Sequence, residues 1–298
     1  MTTAKISLKS IVDVIKAPPK HWVGNGFHVH SMFTYEDSPD LLSPFLLLDY
    51  FSAEEFKPSD AEPRGVGEHP HRGFETVTIL HQGEVEHRDS AGHAGKIGPG
   101  DVQWMTAASG IVHEEKHSHA FTKKGGVFEG AQLWVNLPTK DKMSKPKYQD
   151  LTKEKIPAVE MPNGAGTLRV IAGEYFDKKG PAFTFTPINL WDITLKAGEV
   201  VDLNFPEAHA VAILVFHGDV KINGSKPVKQ SELALMTRQG ETVSLSAQGK
   251  EGVTVLLMSG AAIDEPVVGY GPFVMNTHAE IGQAIQDYES GKMGTLEG

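Results

Sequence analysis

At 298 residues, with 40% hydrophobic and 22% charged side chains, the chain has room for two medium domains and the profile of a soluble globular protein. Its formal net charge of −10 argues against direct nucleic-acid binding, which needs a basic face. The absence of cysteine excludes disulfides, thiolate metal sites and thiol redox chemistry, so with 14 histidines any transition metal must be held by imidazole and carboxylate.

The N-terminal stretch MTTAKISLKSIVDVIKA has no apolar core of signal-peptide length. The longest apolar runs, 41–51 and 210–216, fall short of the about 20 residues that span a bilayer. The expected location is the cytoplasm, with no membrane partner. Short runs rich in β-branched and aromatic residues then recur between Gly, Pro and Asp turns: 75–80, 101–106, 131–137, 210–216, 242–246 and 253–258. This spacing predicts an all-β sandwich or barrel architecture. Residues 138–165 hold four prolines and read as a linker, dividing the chain into 1–140 and 141–298. At the end, 278–292 predicts a helix with Ile281, Ala284, Ile285 and Tyr288 on one stripe.

The two halves carry a faint echo of each other. TVTILHQGEV (76–85) followed by PGDVQWMT (99–106) parallels AVAILVFHGDV (210–220) followed by QSELALMT (230–237). Two segments of the first half carry chemistry, EHPHRGFE (68–75) and GIVHEE (110–115). Alternation on a strand aims His69 and His71 to one face, and likewise His113 and Glu115. Two such strands side by side bring three imidazoles and a carboxylate to one point, a set that suits a divalent first-row metal and leaves positions open for substrate. Carried across by the Met-Thr ends of the parallel strands, His113 and Glu115 fall on Ser244 and Ser246. Near the His69/His71 equivalent stand only Glu207 and His209, so the second copy is expected to bind no metal.

Other His-x-His pairs, His28/His30 and His117/His119, lie outside this strand-turn context. Residues 113–117 also read HEEKH, matching the zinc-protease HExxH. That motif works on a helix, whereas this one follows Ser-Gly and a β-branched pair, and the extended motif fails at Ala120. The match is read as fortuitous.

The segment PHRGFETVTIL…GHAGKIGPGDVQWMTAASGIVHEE resembles the N-terminal cupin of the pirin family. LWVNLP (133–138) is similar to a family strand, and EPVVGYGPFVMNTHAEIGQAIQDY (265–288) to its closing segment and helix; the likeness runs from about Pro44 onward and is weakest over 165–260. It implies two cupin (jelly-roll) barrels packed face to face, a metal-binding N-terminal one, a degenerate C-terminal one and a closing helix. By resemblance, one metal is held by His69, His71, His113 and Glu115, with Glu75 supporting them from behind. The metal is expected to be Fe(II), with Mn, Co, Ni, Cu or Zn as alternatives. The implied activity is that of a quercetin 2,3-dioxygenase acting on a flavonol or related phenol and O2, with Glu115 as catalytic base. The alternative is a non-enzymatic iron-binding regulator, a transcriptional cofactor or modulator of metabolic enzymes, with a protein partner. Two departures stand out. TAAS (106–109) replaces the family's TAG, a change expected to be neutral, and the segment after Glu115 is rich in His and Lys, which bears on the pocket rim.

Overall fold

The computed structural model describes residues 7–37 and 39–296. Among the described residues it is mostly strand, with one α-helix of three turns near the end, His278–Glu289, two short α-helices, Pro39–Leu42 and His119–Lys124, and a 3-10 turn at Pro162–Gly164. Among the described residues no helix is long and apolar enough to cross a membrane.

Two compact units form, and neither is a continuous stretch of chain. The first takes residues 18–37, 45–153 and 263–296; the second takes 7–17, 39–44 and 154–262. The division expected near residue 140 thus falls at 153/154, and two excursions cross it. Strand Ile11–Lys16 pairs with Glu232–Met236 of the second unit. The C-terminal helix belongs to the first unit, because its Ile281 and Ala284 bury against Val112, Phe273, Met275 and Met293. The 138–165 stretch is not a bare linker: it contains strands Lys147–Leu151 and Ala158–Glu160, both at sheet edges.

Each unit sets a seven-stranded antiparallel sheet against a four-stranded one. In the first unit the four-stranded sheet runs Gly65–His71, Ile111–His117, Val85–Asp89, Ala94–Ile97; in the second it runs Val200–Asn204, Thr242–Gln248, Asp219–Ile222, Pro227–Val228. The strand order is the same, so the faint sequence echo reflects one β unit used twice. Alternation builds each face. Along Val200–Asn204 the odd residues 201 and 203 are buried and 200, 202 and 204 exposed. The second unit's interior is a continuous apolar cluster that includes Trp191, Ile193, Leu203, Ile213, Val215, Leu245 and Leu257. Each such side chain contributes about 1.5–3 kcal/mol on burial.

Candidate metal centre

The strands Gly65–His71 and Ile111–His117 are hydrogen-bonded neighbours, with Ile111 opposite His71 and His113 opposite His69. A bulge between His113 and Glu115 shifts the register there. One ring nitrogen from each of His69, His71 and His113 comes within 4.8 Å of the others. His113 and Glu115 form a second such group with His87, a residue sequence reasoning did not select. The four expected residues are therefore gathered around His113, three as one group and Glu115 through the other.

Burial sets their state. His71 and His113 are buried, and burial, reinforced by the neighbouring histidines, holds both well below the ordinary histidine pKa. They are neutral rings with a lone pair to give. His69 lies half-exposed at the rim. The Nδ1 atoms of His69 and His71 bond the carbonyls of Gly67 (2.7 Å) and Pro272 (3.3 Å), which leaves each Nε2 as the free donor atom. His113 Nε2 is buried with no hydrogen-bond partner. A buried, unpaired imidazole nitrogen on a ring grouped with two other imidazoles is costly unless something binds it, so the donor set fits a metal ion.

Glu115 is held from three sides. Gln103 donates to its Oε1 at 2.6 Å, Thr78 to the same oxygen at 3.3 Å, and Gln132 to Oε2 at 2.8 Å. Tyr148 in turn donates to Gln103 at 3.2 Å. Beside His71 an aromatic wall rises: Trp134 meets its ring edge-on at 5.3 Å and stacks on Phe74 at 4.3 Å, with Leu46, Val274, Tyr35 and Val267 packed around.

Glu75 is not behind this group. Thr78 faces Glu115, and on an unbroken strand Glu75 points to the opposite face. There its carboxyl accepts from Thr106 at 2.7 Å, and burial pushes its pKa up to about 7. The expectation that it supports the cluster is corrected on that geometry. His117 also lies elsewhere. It sits in a box of Phe56, Phe121 and Phe128, on a strand, so HEEKH does not form a helical zinc motif. His119 pairs with Glu86 at the surface, His28 stacks on Trp22, and His30 contacts Ser52.

The turn that carries the first motif is built on specific contacts. Gly73 has φ +92, and a side-chain carbon there would meet the Val274 carbonyl at 2.0 Å. Its amide bonds the Ala108 carbonyl. Ala108, the position where the family's TAG has glycine, has φ 43. The departure expected to be neutral therefore places a non-glycine residue in the left-handed region, at about 1–2 kcal/mol. In the second unit the inward positions of the matching strand are Val243, Leu245 and Ala247, while Ser244 and Ser246 are only half-buried. The Met-Thr alignment is off by one residue, which on a strand means the opposite face.

Residues 26–135 match the family model described as Pirin, and 190–294 the one described as Pirin C-terminal cupin domain. The chain belongs to the pirin family. Among pirin-like relatives, it is 50% identical over 285 residues to the Pseudomonas aeruginosa protein named "Putative quercetin 2,3-dioxygenase PA2418", covering 96% of this chain and 98% of the relative. Identity to the "Pirin-like protein" of Solanum lycopersicum is 43%, over 85% of this chain and 82% of that one. A crystal structure of quercetin 2,3-dioxygenase from Acinetobacter baumannii superposes with TM-score 0.93 at 47% identity, covering 98% of this chain and all of that one. The two units are thus the two cupin domains of a pirin.

Proposed function

We propose that this pirin is a metal-dependent dioxygenase of the quercetin 2,3-dioxygenase type. In this reading His69, His71, His113 and Glu115 hold a single divalent metal, Fe(II) first among the first-row ions that accept such ligands. The observation that carries it is the buried, partnerless Nε2 of His113 beside two further imidazoles whose Nδ1 atoms are already engaged. The relatives' names support the reaction class.

A bound metal supplies Lewis acidity, lowering the pKa of a coordinated phenol. The chain supplies the rest. Trp134 and its neighbours beside His71 offer a flat apolar wall for a planar aromatic substrate, with His69 at the open side. Glu115 is the carboxylate placed to accept the substrate's hydroxyl proton. Gln103 and Gln132 fix its two oxygens, so it meets the substrate in one orientation. The burial of His71 and His113 keeps bulk water from the inner side.

The test is anaerobic loading with iron, followed by oxygen uptake and product analysis across flavonols and simpler phenols. Flavonol-dependent uptake with release of carbon monoxide is the expected result. Metal bound at these residues with no uptake on any phenol would leave the non-enzymatic iron-binding regulator as the better account.

A further inference from the structure

The three clustered imidazoles are not anchored alike. His69 and His71 turn Nδ1 to backbone carbonyls, which can only accept. His113 turns Nδ1 to another imidazole, with Nδ1 of His87 3.3 Å away. Two ring nitrogens bond only when one carries the proton and the other does not, so this pair has two possible arrangements.

Asp89 selects one of them. Its Oδ2 lies 3.3 Å from His87 Nε2, and both side chains are wholly shielded from solvent. A carboxylate accepts only, so His87 carries its proton on Nε2. Nδ1 of His87 is then the lone-pair side, and His113 must donate its Nδ1 proton to it. His113 Nε2 is left bare, and that is the buried atom without a partner. Asp89 is itself fixed. Its Oδ1 accepts the amides of Ala91 (2.9 Å) and His93 (3.0 Å), and Oδ2 also faces His93 Nδ1 at 3.0 Å. Tyr148 stacks on His87 at 4.8 Å and holds its plane. The antiparallel register places Asp89 opposite His113 and His87 opposite Glu115, so one strand pair carries the whole line.

We propose that His87 and Asp89 form a relay of positioning residues that locks His113 in its Nδ1–H tautomer and presents the Nε2 lone pair toward His69 and His71. Its purpose rests on the metal-centre reading above; the tautomer is a property of the metal-free chain.

Asp89→Asn tests it with little change of shape. The amide oxygen can keep the bonds of Oδ1, while the NH2 group takes the place of Oδ2 and donates to His87 Nε2. His87 must then carry its proton on Nδ1, and His113 is driven to the Nε2–H form. Long-range nitrogen–proton NMR of the imidazoles, on metal-free full-length protein at about pH 8, above the ordinary histidine range, reads each tautomer directly. Wild type should show His113 as Nδ1–H and Asp89→Asn as Nε2–H. His87→Gln, whose amide both accepts from His113 and donates to Asp89, should keep Nδ1–H. Zinc affinity by chelator competition should fall ~10–100-fold in Asp89→Asn and stay close to wild type in His87→Gln. An Nε2–H His113 in wild type, or no change in Asp89→Asn, overturns the relay. A flipped tautomer with undiminished zinc affinity overturns its service to the metal. Tautomers as expected in a wild type that binds no zinc would support the relay and defeat the metal-centre reading instead.

Discussion

Glu75 and Glu115 are both buried glutamates of one unit, and they differ in what surrounds them. Glu115 has three side-chain donors; Glu75 has Thr106 and a burial cost that raises its pKa to about 7. Because the folded pKa of Glu75 exceeds its unfolded value, the folded state binds the extra proton. Stability from this group is full below about pH 4.5 and is lost as pH rises toward 7. Glu75→Gln should therefore be neutral at about pH 4 and stabilise by roughly 3 kcal/mol at about pH 8, since each pKa unit is worth about 1.4 kcal/mol. Denaturant melts at the two pH values measure this, and metal content should not change. Glu115→Gln is expected to act on chemistry. Turnover per bound iron should drop by ~10²–10⁴, the usual span for a general base. Unchanged turnover per iron would make Glu115 a ligand only. The four clustered residues were legible in the sequence because two short motifs put like chemistry on alternating positions. Glu75 was misplaced because its motif neighbours say nothing of which face follows a turn. His87 and Asp89 carry the same i, i+2 alternation in VEHRD, a signal drowned by 14 histidines.

The C-terminal helix shows how an element far along the chain braces the cluster. Thr277 caps it, accepting from the Glu280 amide, while the Glu280 carboxylate accepts the Asn276 amide. Its Asp287 receives Arg72, the residue directly after His71, whose Nε also donates to the Ser109 carbonyl. Ile281 is 5% exposed. Ile281→Ala should cost about 2–5 kcal/mol, read as a lowered denaturation midpoint, with weaker metal retention as the helix loosens. A midpoint within about 0.5 kcal/mol of wild type would show that the helix is not a brace. Most of this helix could be read from its 3.6-residue stripe, but Tyr288 proved 39% exposed and Asp287 buried, because Arg72 claims that side. Strands Lys147–Leu151 and Ala158–Glu160 escaped notice because edge strands bury only part of one face and tolerate the lysines and prolines that read as linker.

At the scale of the whole molecule, one strand order serves two different interiors. The first unit surrounds polar groups; the second fills the matching positions with Val243, Leu245 and Ala247. Metal analysis of loaded protein should give close to one equivalent, lost in His71→Ala. Two tightly held equivalents, one surviving that change, would contradict this. The duplication was visible in sequence only through turns and strand ends, because the two interiors have diverged in chemistry while backbone pairing has not. The interleaved make-up of the units has a consequence for biosynthesis. When the ribosome has delivered residue 262, all four candidate ligands have long emerged, yet the first unit lacks strand Phe273–Met275 and the Pro272 carbonyl that orients His71. Lys142, which ties the Gly73 carbonyl to that of Val274, also has only part of its anchorage. Metal capture should thus wait for the end of translation. A chain truncated after residue 262 should hold metal far more weakly than the full chain, although it contains every ligand.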